Sequence, residues 1–314
     1  MNPPPLVSVL MSVYNSERYL AQAIESILHQ SFTDFEFIII DDGSTDRSLE
    51  ILQAYAQRDP RIQLISRENR GLARTKNELV SLARGEFLAI MDSDDVAMPD
   101  RLAHQVAFLR ANPDVVCVGG AYDFIDEAGR LLEHVSVPLT DADLQRFALQ
   151  GKVLINHPSA MIRRQALEQV GGYDETMHTD GILDLWLRLG EVGKLANLAE
   201  TVLHYRQHQH SVSEQKQWLQ LEDKREACER AWRRRGITGT FAETTPWRPV
   251  DRPSRYHYYL KYGWSFLNRR EWGAAIIYGF RAMRELPWKR GAWKLLTYGV
   301  IKYLTTTLSS WVFR

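Results

Sequence analysis

The stretch Phe87-Leu88-Ala89-Ile90-Met91-Asp92-Ser93-Asp94-Asp95 decides how the rest of the chain reads. Five apolar residues in a row suit a strand buried on both faces, and three carboxylates follow within four positions. Pro99 comes shortly after, at a place suited to the first turn of a helix. Like charges crowded at the end of a strand repel one another unless something positive sits among them. A hard divalent cation fits that need. Mg2+ and Mn2+ take oxygen ligands, often one or two carboxylates plus the oxygens of a phosphate. Taken alone, an Asp-x-Asp is more often a solvated turn that caps the next helix. The surrounding sequence decides between the two.

Upstream, Leu6 to Val13 is a near-continuous apolar run, ended by Tyr14-Asn15-Ser16, where Asn15 or Ser16 can cap a helix. Leu20, Ile24, Ile27 and Leu28 then repeat at helical spacing. Phe35 to Ile40 predicts a second strand, closing on Asp41-Asp42-Gly43-Ser44-Thr45-Asp46, and Leu49, Leu52 and Ala56 mark another helix. Ile62 to Ile65 predicts a third strand. Asn69-Arg70-Gly71 breaks the chain before a helix running to about Arg84. After Pro99 a helix turns Leu102, Val106 and Leu109 inward, and Val115 to Val118 reads as a further strand. Strict alternation of strand and helix is the pattern of a parallel sheet covered on both faces. Ligands bind such sheets beyond the carboxyl ends of the strands. Tyr14-Asn15, Asp41-Asp42 and Asp92 to Asp95 all fall there. Neither Gly-x-Gly-x-x-Gly nor a Walker loop occurs, which argues against a dinucleotide enzyme or a P-loop phosphotransferase.

The run Val-Ser-Val-Leu-Met-Ser-Val-Tyr-Asn, then Ile-Ile-Ile-Asp-Asp-Gly-Ser-Thr-Asp, then Asn-Arg-Gly-Leu-Ala, then Phe-Leu-Ala-Ile-Met-Asp-Ser-Asp-Asp resembles family 2 glycosyltransferases. His157-Pro158-Ser159-Ala160-Met161, Gly171-Gly172-Tyr173-Asp174, Asp184-Leu185-Trp186-Leu187-Arg188 and Tyr205-Arg206-x-His208 extend the match over roughly residues 5–214. Each motif is short, and their number and order carry the resemblance. It implies a GT-A fold: a Rossmann-like, mostly parallel α/β sheet flanked by helices. It also implies a nucleotide-sugar donor and inverting transfer to a hydroxyl, usually with Mg2+ or Mn2+.

By the same resemblance, Ser12, Val13, Tyr14 and Asn15, with Asp41 or Asp42, would hold the nucleoside. A carboxylate can accept the N3–H of uracil, uridine being the family's usual nucleoside. Asp42-Gly43-Ser44 also reads as an ordinary turn and helix cap; both readings hold together, with Asp41 the favoured base contact of the two. Asn69, Arg70 and Lys76 would line the nucleotide site, although Lys76 equally suits a solvated helix face. Asp92 and Ser93 would lie by the ribose and sugar, Asp94 and Asp95 would take the metal, and His208 would sit near the diphosphate as a third metal ligand.

One position departs from the pattern. The family's general base is commonly an Asp within Glu-Asp-Tyr-Asp-Leu-Trp, whereas this chain reads His178-Thr179-Asp180-Gly181-Ile182-Leu183-Asp184-Leu185-Trp186. Aligned on Asp184, the acidic pair falls on Gly181 and Ile182, which cannot take a proton. Gly181 tolerates unusual backbone angles and could re-aim Asp180, the first candidate for the base. Asp184 is the second, with an alternative role as a first-turn carboxylate favoured by the helix dipole. If neither reaches an acceptor, the chain is a nucleotide-sugar-binding relative with little or no transferase activity. A nucleotidyltransferase on a related sheet is a further alternative, disfavoured by the lack of an early Gly-rich phosphate loop.

The chain has 314 residues, room for one large domain or two ordinary ones, and zero formal net charge. That zero hides an asymmetry. Residues 1–214 hold 19 Lys and Arg against 31 Asp and Glu, and residues 215–314 hold 20 against 8. Composition therefore divides the chain near residue 214; the resemblance makes 1–214 the glycosyltransferase domain and leaves a helical, basic, aromatic region over 215–314. There, Trp218 to Gly236, Tyr256 to Leu267, Trp272 to Leu286 and Trp293 to Phe313 have helical period. In the last of these Leu295, Leu296, Val300, Ile301, Leu304 and Leu308 are ringed by Lys289, Arg290, Lys294 and Lys302. Such a helix suits the membrane interface better than a membrane span, and would suit a lipid-linked glycan acceptor. It equally suits packing against the catalytic domain with its Trp residues in a core. No DNA-binding motif accompanies the basic residues, so nucleic acid is not expected. Cys117 and Cys228 form no metal pattern or disulfide framework, and Met1 to Pro5 lacks the basic start and apolar run of a signal peptide. A cytoplasmic protein, peripheral at the inner face of the membrane if it docks there, is the expectation.

Overall fold

Leu6 to Val13 and Phe35 to Ile40 carry few polar side chains because both faces of their sheet are covered. Val7, Val9, Met11, Phe37 and Ile39 enter one core, and Leu10, Ile38 and Ile40 enter the other. The structure is a computed structural model that describes residues 3–179, 181–208, 217–242 and 251–312. Its first half runs β1 (Val7–Val13), α1 (Leu20–Leu28), β2 (Phe35–Asp42), α2 (Ser48–Ala56), β3 (Ile62–Arg67), α3 (Leu72–Leu82) and β4 (Phe87–Asp92). A short β5 (Val96–Ala97), α4 (Arg101–Ala111), β6 (Val115–Ile125), β7 (Leu131–Val135) and α5 (Asp141–Ala148) follow. After a 3-10 turn at His157–Ser159 come β8 (Met161–Arg163), α6 (Arg164–Gln169), α7 (Ile182–Val192) and β9 (Lys194–Arg206). Leu20, Ile24 and Ile27 of α1 and Leu102, Val106 and Leu109 of α4 cover one face. Leu79 of α3 and Leu185, Trp186 and Leu189 of α7 cover the other.

The sheet order is β3-β2-β1-β4-β8-β6-β9-β5, with β7 added alongside β6. Strands β1 to β4 are mutually parallel, as the alternation predicts. β8 then enters antiparallel between β4 and β6, and β9 runs parallel to β6. The sheet is therefore mixed, and it is also curled. β4 and β5 are separated by three residues in sequence and by three strands in the sheet. Those residues reach at most about 14 Å, whereas four strand spacings in a flat sheet need about 19 Å. Curling brings the carboxyl ends of β4 and β9 together around Ser93, Asp94 and Asp95.

Two local expectations are revised. Pro99 lies outside α4, which starts at Arg101 after Asp100, and its carbonyl instead accepts from Ser31 N at 2.9 Å. The strand expected over Val115–Val118 continues to Ile125, through Gly119-Gly120. A Cβ on Gly119 would lie 2.3 Å from Asn197 Oδ1, and one on Gly120 2.8 Å from Val202 Cγ1, so glycine here permits close packing inside a strand.

The chain divides into two compact units, residues 1–244 and 245–314. The first extends thirty residues past the composition break because α8 (Gln217–Arg235) packs Ala227, Cys228 and Ala231 onto Leu183 and Leu187 of α7. The second unit holds α9 (Arg252–Asn268), α10 (Trp272–Glu285) and α11 (Arg290–Val312). Its helices approach closely at small residues, Gly263 beneath Leu295 and Gly279 beneath Leu296. Trp288 and Trp293 are 68% and 53% exposed, so neither fills a core. Among the described residues no helix is long and apolar enough to cross a membrane.

Candidate active site

Register alone aligns the polar clusters at the carboxyl edge of the parallel strands. Ser12 of β1 pairs with Asp92 of β4, Val13 with Asp41 of β2, and Asp42 with Arg67 of β3. Side chains then tie the loops together. Asn15, held at φ 49°, accepts from Thr45 N at 2.7 Å and donates its own N–H to Ser44 Oγ at 3.0 Å. Ser16 Oγ lies 2.7 Å from Ser93 Oγ, linking the first loop to the acidic turn. Tyr14 is exposed at the rim, whereas the side chain of Val13 is in the core, leaving only its backbone to meet a ligand.

Asp41 and Asp42 are both buried and both engaged. Asp41 accepts from Ser66 Oγ at 2.8 Å and Ser44 N at 3.3 Å. Asp42 pairs with Arg67 and accepts from Arg70 N at 2.9 Å and Gly71 N at 3.2 Å. Asp42 thus shapes the Asn69-Arg70-Gly71 loop, on which the side chains of Asn69 and Arg70 remain exposed. Lys76 is buried on α3. Its Nζ lies 3.4 Å from His157 Nδ1, and His157 Nε2 lies 2.9 Å from Tyr173 Oη. Burial, then the charges of Lys76 and Arg101, holds the His157 imidazole well below its ordinary pKa, so it is neutral. Ser12, Lys76, Asp92 and Tyr173 line one recess against the end of β4.

In the acidic turn, oxygens of Asp92, Asp94 and Asp95 lie within 4.8 Å of one another. Asp95 is fully buried, and burial followed by the charges of Asp94 and Asp92 holds its carboxyl well above the usual range. Its Oδ1 accepts from Arg206 N at 2.8 Å, while its buried Oδ2 has no hydrogen-bond partner among the described residues. His208 Nε2 lies 2.7 Å from Asp94 Oδ2, and its buried Nδ1 has no partner among the described residues. An all-oxygen cluster with one orphaned buried carboxylate oxygen and an adjacent imidazole fits a hard divalent cation.

The sequence expectations did not assign Arg206 or Arg101 to this site. Arg206 donates from Nε to Asp94 O at 2.7 Å and from Nη2 to Gln22 Oε1 at 2.7 Å, fixing the acidic turn to β9 and α1. Arg101, fully buried behind the turn, donates to the Ile90 and Ala160 carbonyls. Burial brings its pKa down to about 10 against the opposing pull of Asp95 and Asp92. The signal for Arg206 was its place in Tyr205-Arg206-x-His208; for Arg101 none was visible.

Asp180 lies outside the described residues. Asp184 is buried in the first turn of α7, accepts from Arg188 Nε at 2.6 Å and lies 3.9 Å from Arg234. Arg188 in turn donates to the Val170 and Gly172 carbonyls, so this pair locks α7 to the preceding loop.

The model of "Glycosyl transferase family 2" matches residues 8–171, half of the chain. The chain belongs to that family. EpsE of Bacillus subtilis is 38% identical over 216 residues, 66% of this chain and 75% of EpsE. Chondroitin synthase of Escherichia coli is 30% identical over 234 residues, 74% of this chain and 33% of that much longer protein. The mannosyltransferase PcManGT of Pyrobaculum calidifontis, solved with GDP-Man and Mn2+, superposes with a TM-score of 0.55 at 18% identity, covering 99% of this chain and 84% of its own. This family 2 glycosyltransferase thus has the GT-A-like fold, a curled mixed sheet with helices at the C-terminus, and relatives in polysaccharide synthesis.

Proposed function

We propose that this chain transfers a sugar from a nucleotide-diphosphate donor, a UDP-sugar by family default, to a hydroxyl of a glycan or lipid-linked acceptor in cell-surface polysaccharide synthesis. The observation that carries the reading is the Asp92, Asp94 and Asp95 cluster beside the recess of Ser12, Lys76 and Tyr173, at the edge where a GT-A-like sheet receives its ligand. Asp41 and the Ser12–Asn15 loop would hold the nucleoside, with Asn69 and Arg70 at its rim and Asp42 shaping the loop that carries them. Asp92 and Ser93 would face the ribose and sugar, and Lys76 the diphosphate. Asp94, Asp95 and His208 would hold Mn2+ or Mg2+. When bound, the cation would offset the charge that develops as the diphosphate departs.

Transfer with inversion is a single displacement. The acceptor oxygen bonds to the anomeric carbon from the face opposite the diphosphate, the bond from that carbon to the diphosphate oxygen breaks, and a base removes the acceptor proton. We assign the base to Asp180. Burial and the Arg188 pair give Asp184 a positioning role instead. In the second unit, thirteen Lys and Arg against three Asp and Glu in residues 245–314, with exposed Trp288 and Trp293, favour contact with an anionic membrane surface at its cytoplasmic face.

The test is nucleotide release from a panel of UDP-, GDP- and dTDP-sugars with Mn2+ or EDTA, for the wild type and Asp180→Asn. Metal-dependent release of one nucleotide, lost in the variant while binding survives, is the expected result. Binding without turnover on any donor and acceptor would favour a nucleotide-sugar-binding relative. No nucleotide binding at all would overturn the reading.

A further inference from the structure

Asp223 is a carboxylate 4% exposed in the middle of a strongly charged helix, a costly position unless its oxygens are satisfied. They are, and by two consecutive residues of one loop. Oδ1 accepts from His178 N at 2.9 Å and lies 3.0 Å from His178 Nδ1. Oδ2 accepts from Thr179 N at 2.7 Å and from the Thr179 hydroxyl. The same helix reaches the two flanks of that loop. Arg230 Nη1 donates to Asp174 Oδ2 at 2.6 Å, and Arg235 Nη2 donates to the Leu187 carbonyl of α7 at 2.7 Å. Asp223, Ala227 and Arg230 recur at three- and four-residue spacing, so the contacts share one stripe of α8 with the apolar seam on Leu183 and Leu187. Directly after the loop, Gly181 takes the left-handed conformation at φ 59° and opens α7.

We propose that α8 is a brace for the loop that enters α7, and that Asp223 is its positioning residue, fixing the chain immediately before Asp180. The proposal rests on the reading of Asp180 as the base. α8 lies beyond the residues 8–171 that match the family model, so the brace belongs to a part of the chain the family pattern does not cover. A base must meet the acceptor hydroxyl within a few tenths of an ångström. A displacement of about 1 Å can lower turnover about a hundredfold without touching substrate affinity. A carboxylate with four donors from two adjacent residues supplies that restraint, because neither residue can rotate without losing a charge-assisted hydrogen bond.

Asp223→Asn keeps the shape and sets an NH2 group against the backbone donor of either His178 or Thr179. The expected result is a tenfold to hundredfold fall in kcat for nucleotide release, on whichever panel donor turns over. Donor KM and the affinity for UDP or GDP with Mn2+ should stay within about twofold. Amide exchange at His178 and Thr179 should accelerate, and Thr179→Ala should show a smaller fall in the same direction. Cys228→Ala, which thins the packing of the same helix without touching the loop, should lower Tm and leave kcat unchanged. Unchanged exchange at His178 and Thr179 in Asp223→Asn would overturn the brace. So would accelerated exchange with wild-type kcat, or a kcat loss in Cys228→Ala as large as in Asp223→Asn. The base assignment fails separately. An active Asp180→Asn beside an impaired Asp223→Asn removes Asp180 as base and leaves the brace standing.

Discussion

Replacing Asp95 with Asn separates the stability of the acidic turn from its capacity for metal. The carboxylate is fully buried, with oxygens of Asp92 and Asp94 within 4.8 Å. Two full charges at that distance repel by about 3.5 kcal/mol at an effective dielectric of 20. Arg101 and Arg206 offset part of this. An amide retains the acceptor for Arg206 N and places an NH2 group where Oδ2 has no partner, facing two carboxylates that can accept from it. Asp95→Asn should therefore be about 1–3 kcal/mol more stable than the wild type in EDTA, an estimate from that repulsion after partial compensation. With Mn2+ at a hundred times its Kd the wild type should gain about 2.7 kcal/mol, raising Tm by about 5–10 °C for a unit of this size. The variant should gain almost nothing and should lose nucleotide release. Thermal unfolding of both proteins in EDTA and across a Mn2+ titration measures each term. A variant less stable than the wild type in EDTA, yet showing the full Mn2+ shift, would falsify the assignment of Asp95 to the cation.

Three further outcomes follow from the same geometry. His157 is neutral in the fold with its pKa held below the unfolded value of about 6.5. Acid therefore protonates the unfolded state first, and stability present above pH 6.5 should fall on acidification by up to about 1.4 kcal/mol per pH unit. Urea unfolding between pH 5 and 7.5 should show this slope in the wild type and a flatter one in His157→Gln. Asp42→Ala removes one of the two carboxylates paired with Arg67, Glu78 remaining at 2.9 Å, and takes the acceptor from Arg70 N, so it should cost about 1–3 kcal/mol in urea unfolding and weaken nucleotide affinity; no measurable loss would refute that role. The wild type should sediment with phosphatidylglycerol vesicles at low salt, and Trp288→Ser with Trp293→Ser should leave it in the supernatant. Equal sedimentation of the two proteins would remove these side chains from membrane contact.

How much of this was legible depends on how far apart the partners stand in the chain. The acidic turn, the Asp41-Asp42 pair and the Tyr14-Asn15 loop could be read because each is a local run at the end of an apolar strand. Parallel order then places them on one edge. The second half resisted the same reading. Gly119-Gly120 looks like a strand end, yet the strand passes through it because Asn197 and Val202 press against the backbone there. The curl that carries Arg206 and His208 to Asp94 and Asp95 depends on pairings more than a hundred residues apart, which no local pattern encodes.

The change of sign in charge near residue 214 suggested a domain boundary that the first structural unit runs thirty residues past. Arg230, Arg234 and Arg235 belong to the basic block, and Asp174 and Glu191 to the acidic one. They meet across α8 and the α7 region at 2.6 to 3.2 Å. Opposite blocks of charge attract, so a sign reversal along a chain is as good a marker of two surfaces that pack together as of two bodies that part. Here the first of these holds up to Arg235. Asp223 sharpens the point: an acidic residue within the basic block, it faces not solvent but the backbone and side chains of His178 and Thr179, in the loop before Asp180. Composition averages such a residue away. Its meaning lies in what it touches 45 residues upstream, next to the stretch of sequence where the family pattern is broken.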